Sequence, residues 1–196
     1  MSLELVPIEH VPSSYSVFVA AYREVQNAAF LHQQLLNRNA DFEYAFIDAA
    51  AVYSRRQLLS AVFKAITAAD SDTLKTPNIH SEIVISLNLS NNISESYRRF
   101  GISPDTKDLI AVKISFSSRT IPGLSRDEIS NHLESNIRGI QVSITDESLA
   151  VMTDIARVRK YYKLNGLGWL EAIEDDFTKH AELDLLVTSS VALRGT

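Results

Sequence analysis

Residues 108–116 read DLIAVKISF. Ile110, Val112, Ile114 and Phe116 alternate with Leu109, Ala111, Lys113 and Ser115, the period of two that a strand imposes on its side chains. It is the strongest strand signal in the chain, so the fold contains a sheet. The flanking segments decide its company. Upstream, EIVISLNL at 82–89 reads as a second strand, with Ile83, Ile85 and Leu87 on one face and Val84 on the other. Between the two lies NNISESYRRFGIS at 91–103, a short one-sided helix. Asn92 is its N-cap and Glu95 falls at N3, close to a capping box. Ile93, Tyr97 and Phe100 share a face, Arg98 and Arg99 point away, and Gly101 ends the helix in a left-handed C′ conformation.

Further out, YSVFVAAY at 15–22, the start of YAFIDAAAV at 44–52 and IQVSI at 140–144 are strand candidates. NAAFLHQQLLNRN reads as a helix with Asn27 positioned to cap it. Residues 54–69 form another, carrying Leu59, Phe63 and Ile66 at helical spacing beside Leu58 and Val62. Ser125 and Glu128 make a capping box, with Leu124 and Ile129 at the staple positions and Ile129, Leu133 and Ile137 as the buried stripe. From 147 onward the chain reads helical. Val151, Ile155, Val158 and Tyr162 line one face until LNGLG breaks the run; Trp169, Ile173 and Phe177 mark a further helix. The last helix has Leu183, Val187 and Val191, joined by Leu186 and closed by Gly195. The expectation is an α/β domain, with α+β as the alternative. It comprises a single mixed β-sheet packed with helices and a helical C-terminal region, in one domain over residues 1–196.

The 45% apolar content suits a packed globular core. No stretch approaches the roughly 20 apolar residues of a membrane span, and the N-terminus lacks a secretory pattern, so an intracellular protein without a membrane role is expected. With no cysteine there is no disulfide and no thiolate nucleophile or metal ligand. The net charge of −5 argues against indiscriminate nucleic-acid binding but leaves room for a local basic patch.

Signals for catalysis are weak. The five histidines, His10, His32, His80, His132 and His180, are scattered, and phosphate-loop, dinucleotide, kinase and nucleophile-elbow motifs are absent. A small hydrolase using His80 and Glu82 is the alternative, against the plainer reading of a polar turn entering a strand. EAIEDD at 171–176 spreads its acids around a helix, which suits a solvated face better than a metal site. RVRKYYK at 157–163 combines Arg157, Arg159, Lys160 and Lys163 with Tyr161 and Tyr162. It suits either phosphate and base contacts or a helix with Val158 and Tyr162 buried. Lys64, Lys75, Arg98 and Arg99 form a second, dispersed basic group. The C-terminal helix also permits two readings. Its aliphatic stripe covers the sheet, or some of Leu186, Val187, Ser190, Val191 and Leu193 face a partner.

NIHSEIVISLNLSNNISESYRRFGIS followed by DLIAVKISF, with the later VRKYYKL and terminal ALRG, resembles the small non-catalytic subunit family of the KEOPS/EKC complex. This is the p53-related-kinase-binding protein family, here in a fungal form. The resemblance implies a binding subunit without cofactor, metal or catalytic residues of its own. Its direct partner is the complex's atypical small protein kinase, and through it the metal-dependent transferase subunit. It implies a contribution to N6-threonylcarbamoyladenosine formation in ANN-decoding tRNAs, links to telomere maintenance and transcription, and a place in nucleus and cytoplasm. On this basis Leu183, Leu186, Val187, Ser190, Val191 and Leu193 are the candidate kinase interface. Lys64, Lys75 and Arg98 are the candidate tRNA contacts, the alternative being a kinase-binding scaffold without direct RNA contact. Asn92, Ile93, Glu95, Tyr97, Phe100 and Gly101 are scaffold.

Overall fold

In the computed structural model, which describes residues 3–120 and 122–194, the DLIAVKISF segment is an inner strand of one open sheet. This strand, β4 (Leu109–Phe116), pairs on one side with β2 (Tyr15–Arg23) and on the other with β3 (Ala45–Asp48). Val17 stands opposite Ile114, and Ala45 opposite Val112. Two short strands share the far edge of β2: β1 (Glu4–Leu5) and β5 (Ile140–Val142). The single sheet packed with helices and the helical C-terminal region are present as expected. The ladders described are all antiparallel rather than mixed, which is the α+β form of the expectation.

Alternation along the strands feeds two cores. Val17, Val19 and Ala21 of β2, with Ile110, Val112 and Ile114 of β4, face one side. Phe18, Ala20 and Tyr22, with Leu109 and Ala111, face the other. Helices α1 (Ala28–Leu36) and α5 (Arg126–Asn136) cover the second side through Leu31, Ile129 and Leu133. The first side is thicker. It takes α2 (Arg55–Asp70), α3 (Ile79–Ser86), α4 (Ile93–Phe100), α6 (Asp146–Met152), α7 (Ile155–Tyr161), α8 (Gly168–Glu171) and α9 (Asp176–Ala192). Burying each large aliphatic side chain contributes about 1.5–3 kcal/mol, so a sheet buried on both faces is the principal source of stability.

The main correction falls on EIVISLNL. It is not a strand: α3 runs through it, capped by Asn78, whose side chain accepts the Ser81 N–H at 2.8 Å. Ile83, Val84, Ile85 and Leu87 are all buried, because α3 is enclosed by the sheet, α2 and α4. A helix wrapped on every side loses its 3.6-residue polarity pattern and reads as a continuous apolar run. Other departures are smaller. The helical run from 147 is broken at 153–154 into α6 and α7; Val158 and Tyr162 are buried, but Val151 and Ile155 are exposed. Trp169 sits exposed on the single turn of α8, and Phe177 is exposed at the start of α9. Asn27 precedes α1 without capping it, since its side chain instead accepts the Arg138 N–H and donates to Asn136. The Ser125–Glu128 capping box is present on both sides. Gly195 lies outside the described residues.

Candidate functional site

Helix α4 begins as its sequence implies, with the Asn92 carboxamide accepting the Glu95 N–H at 2.9 Å. The return half of the capping box is different. The Ser90 hydroxyl accepts the Asn92 N–H at 3.2 Å and donates to the Glu95 carboxylate at 2.5 Å, so serine relays the link. Glu95 also pairs with Arg99 at 2.7 Å, and these contacts hold its carboxyl below the usual range. Phe100 is buried, while Ile93 and Tyr97 remain partly open to solvent. Arg98 points away, but Arg99 does not: its guanidinium lies 5.0 Å from the Tyr161 ring centroid. Gly101 is extended, at φ −71°, rather than left-handed. Glycine is required there by close approach, since a Cβ would stand 2.7 Å from the Tyr97 carbonyl oxygen where Gly101 bridges to Ile47 of β3.

His80 and Glu82 are both buried on α3 and serve the backbone. The His80 Nε2 accepts the Ile114 N–H at 2.9 Å, taking over where β3 stops pairing with β4. Its Nδ1 therefore carries the proton and faces the Glu43 carboxylate at 3.9 Å. Glu82 accepts from Lys75 N, Thr76 N and the Thr76 hydroxyl at 2.7–3.0 Å, closing the turn before α3. The two side chains engage different partners and do not form an acid–base pair. His80→Leu leaves the buried Ile114 N–H without an acceptor and is expected to cost about 1–3 kcal/mol by chemical denaturation. Burial holds the His80 pKa below its ordinary 6.5, with Glu43 opposing and Lys113 reinforcing the shift. The unfolded chain therefore binds the extra proton first, and His80's contribution is complete above about pH 6.5 and lost as pH falls below it. His80→Gln, which keeps an acceptor, is expected to flatten that acid-side decline. His132, also lowered by burial, is present in both proteins and cancels in the difference.

The RVRKYYK segment resolves largely into scaffold. Arg157 pairs with Asp48 at 2.9 Å and Arg159 with Glu171. The Tyr162 hydroxyl donates to Leu87 O and receives the Gln57 amide, both at 2.6 Å, inside the core. That complete burial pushes its pKa upward. Lys160 and Lys163 are exposed. In EAIEDD, Glu171 holds Arg159 and Asp175 caps α9. Among the described residues no group of three or more His, Cys, Asp or Glu is arranged to hold a metal ion. No helix there is long and apolar enough to cross a membrane.

The candidate tRNA contacts sit differently from one another. Lys75 is exposed, and Arg98 on α4 has 76% of its side chain open, with a loose 3.9 Å contact to Glu95. Lys64 instead donates to Ala192 O and Arg194 O at 3.1 and 2.5 Å, closing the C-terminus of α9. Its pKa is lowered by burial and by the neighbouring charges of Arg194 and Lys75. Arg194, which donates to Ser90 O and Asn91 Oδ1, thus joins this basic group. Sequence spacing does not link residues this far apart.

Of the candidate kinase-interface residues, Leu183, Val187 and Val191 are buried in the domain's own core. Polar contacts fix that orientation. The buried Asp184 carboxylate accepts from the Ser54 hydroxyl and the Arg56 guanidinium, and Tyr53 Oη lies 2.7 Å from His180 Nδ1. Leu186 and Ser190 are half-buried, and Leu193 is 66% exposed. Phe177 and Leu185 are exposed on the same helix. The adjacent Leu185 and Leu186 in LDLLV are the sequence signal for this surface, because one helix face cannot take both fully.

Comparison with known proteins shows the chain's family. The chain is 56% identical to the EKC/KEOPS complex subunit CGI121 of Gibberella zeae over 196 residues, covering all of both chains. It is 47% identical to the Neurospora crassa subunit cgi121 over 206 aligned positions, again covering all of both. Identity to the Schizosaccharomyces pombe subunit cgi121 is 31%, over 91% of this chain and 93% of that one. The family model described as Kinase binding protein CGI-121 matches residues 22–195, and the chain belongs to that family.

Proposed function

We propose that this chain is a non-catalytic docking subunit of an EKC/KEOPS assembly. It binds the atypical small kinase of that complex through the outer face of α9 and, through the kinase, works beside the metal-dependent transferase subunit. The family description and the names of the relatives support the reading. The structural observation that carries it is the division of α9. One aliphatic stripe is filled by the core, with half-buried Leu186 packed at its edge, yet Leu185 and Leu193 remain exposed. Apolar residues in the centre of a patch and polar ones at its rim are the usual anatomy of an interface. The double change Leu185→Glu, Leu193→Glu, at two exposed positions, should keep the native circular dichroism. It should weaken copurification with the kinase by more than about tenfold, as expected for a central contact worth about 2 kcal/mol. Unchanged affinity with an intact fold would remove the α9 face from the interface.

Beside kinase docking we propose auxiliary contact with tRNA in the N6-threonylcarbamoyladenosine pathway, through Lys75, Lys64 and Arg194, with Arg98 as an outlying cation. Lys64 donates to the Arg194 carbonyl oxygen at 2.5 Å, and the positive charges of Arg194 and Lys75 both act on Lys64, which supports it. Lys75→Ala is the clean test, because Lys64 also closes α9. Binding across tRNA sequences should weaken, and the slope of log affinity against log salt should shrink by about 0.7–0.9 for each phosphate that is no longer neutralised. The nucleus and cytoplasm are the proposed compartments, open to imaging of a tagged chain.

A further inference from the structure

The loop between α7 and α8 contains Asn165–Gly166, and among the ten asparagines of the chain only Asn165 precedes a glycine. Both residues are exposed. Gly166 has φ +79°, and a Cβ built there would meet nothing within 4 Å. Among the described residues, neither the Asn165 carboxamide nor the Gly166 N–H has a hydrogen-bond partner. Both neighbours are anchored: the Leu164 N–H donates to Arg159 O at 2.8 Å, and Leu167 opens α8. The other asparagines differ in kind. Asn27, Asn78 and Asn92 have their carboxamides engaged and a side-chain-bearing residue following.

We infer that Asn165 is a site of spontaneous modification in the folded protein, converting to aspartate and isoaspartate. The chemistry needs a free backbone nitrogen, an unhindered following residue and water. The Gly166 nitrogen loses its proton to solvent base and attacks Cγ of Asn165. A C–N bond forms, the Cγ–Nδ2 bond breaks, and the amide nitrogen leaves as ammonia after taking up a proton. Water then opens the resulting succinimide at either carbonyl. One opening restores the original main chain with an aspartate. The other carries the main chain through the former side chain as isoaspartate. The net change is asparagine plus water to acid plus ammonia, with no redox step. The product adds a negative charge to the exposed loop that follows α7. An isoaspartyl carboxyl methyltransferase using S-adenosylmethionine is the class of enzyme that would recognise the rearranged residue.

The test is incubation of the full folded chain in mildly alkaline buffer, beside a synthetic peptide of residues 164–179. Both are then digested at acidic pH for mass spectrometry and labelled by an isoaspartyl carboxyl methyltransferase with radioactive methyl donor. The amide-to-acid mass gain and the methyl label should map to Asn165 in the folded chain, at a rate close to that of the peptide. Asn165→Ala should abolish the label while leaving circular dichroism unchanged. Conversion of the peptide alongside a folded chain that keeps its Asn165 amide would overturn the inference. So would label that persists in Asn165→Ala.

Discussion

The double substitution Val187→Glu, Val191→Glu should unfold the protein rather than merely detach it from a partner. Both valines are essentially inaccessible in the core beneath α9. Replacing them removes about 1.5–3 kcal/mol of apolar burial each. It also requires two carboxylates to be desolvated without partners, at several kcal/mol apiece. Together these reach the whole margin of about 5–15 kcal/mol that holds a typical domain folded. Circular dichroism should show loss of cooperative melting, and the proposed copurification with the kinase would vanish as a consequence. A folded variant that simply failed to bind would mean that α9 can present this stripe outward. That would contradict the packing of Asp184 against Ser54 and Arg56.

The second large effect is expected at Phe100. It is 1% exposed and meets Tyr161 and Tyr162 edge-on, with ring centroids 5.6 and 6.0 Å away. It therefore fastens α4 to the C-terminal end of α7. Phe100→Ala leaves a cavity at the meeting of two segments and should cost about 3–5 kcal/mol. Urea denaturation should report this as a lower midpoint with an unchanged slope. Arg98→Ala, two residues away and solvated, should stay within about 0.5 kcal/mol of the parent. Equal destabilisation by both would mean that α4 is held by its polar face.

These two positions also show what can be read from the chain. Alternation places β2 and β4 with nearly the right bounds, and side-chain caps locate the starts of α4 and α5. Such signals are local, because each depends on residues three or four apart. Helix α3 reads as a strand for a physical reason. Enclosure on all sides removes its polar face, leaving Asn78 after Thr76–Pro77 as the remaining clue to a helix start. Gly101 is legible as a helix stop, but its backbone conformation depends on a bridge to Ile47, 54 positions away in sequence. The candidate surface is legible as an aliphatic helix but not as inner and outer halves. The contacts of Asp184 and Tyr53, together with the burial of Leu183, Val187 and Val191, set which side of α9 faces the core. Arg194 joins Lys64 and Lys75 through tertiary packing alone.

The most direct test of the central claim is reconstitution of tRNA N6-threonylcarbamoyladenosine synthesis with and without this chain, over a series of tRNA concentrations. Alone, the chain should neither hydrolyse ATP nor form the modified base. On the proposed reading, adding it to the other subunits of an EKC/KEOPS assembly should raise the rate most when tRNA is limiting and progressively less as tRNA saturates, the signature of positioning rather than chemistry. Equal rates with and without the chain at every tRNA concentration, or product formed by the chain alone, would contradict the account.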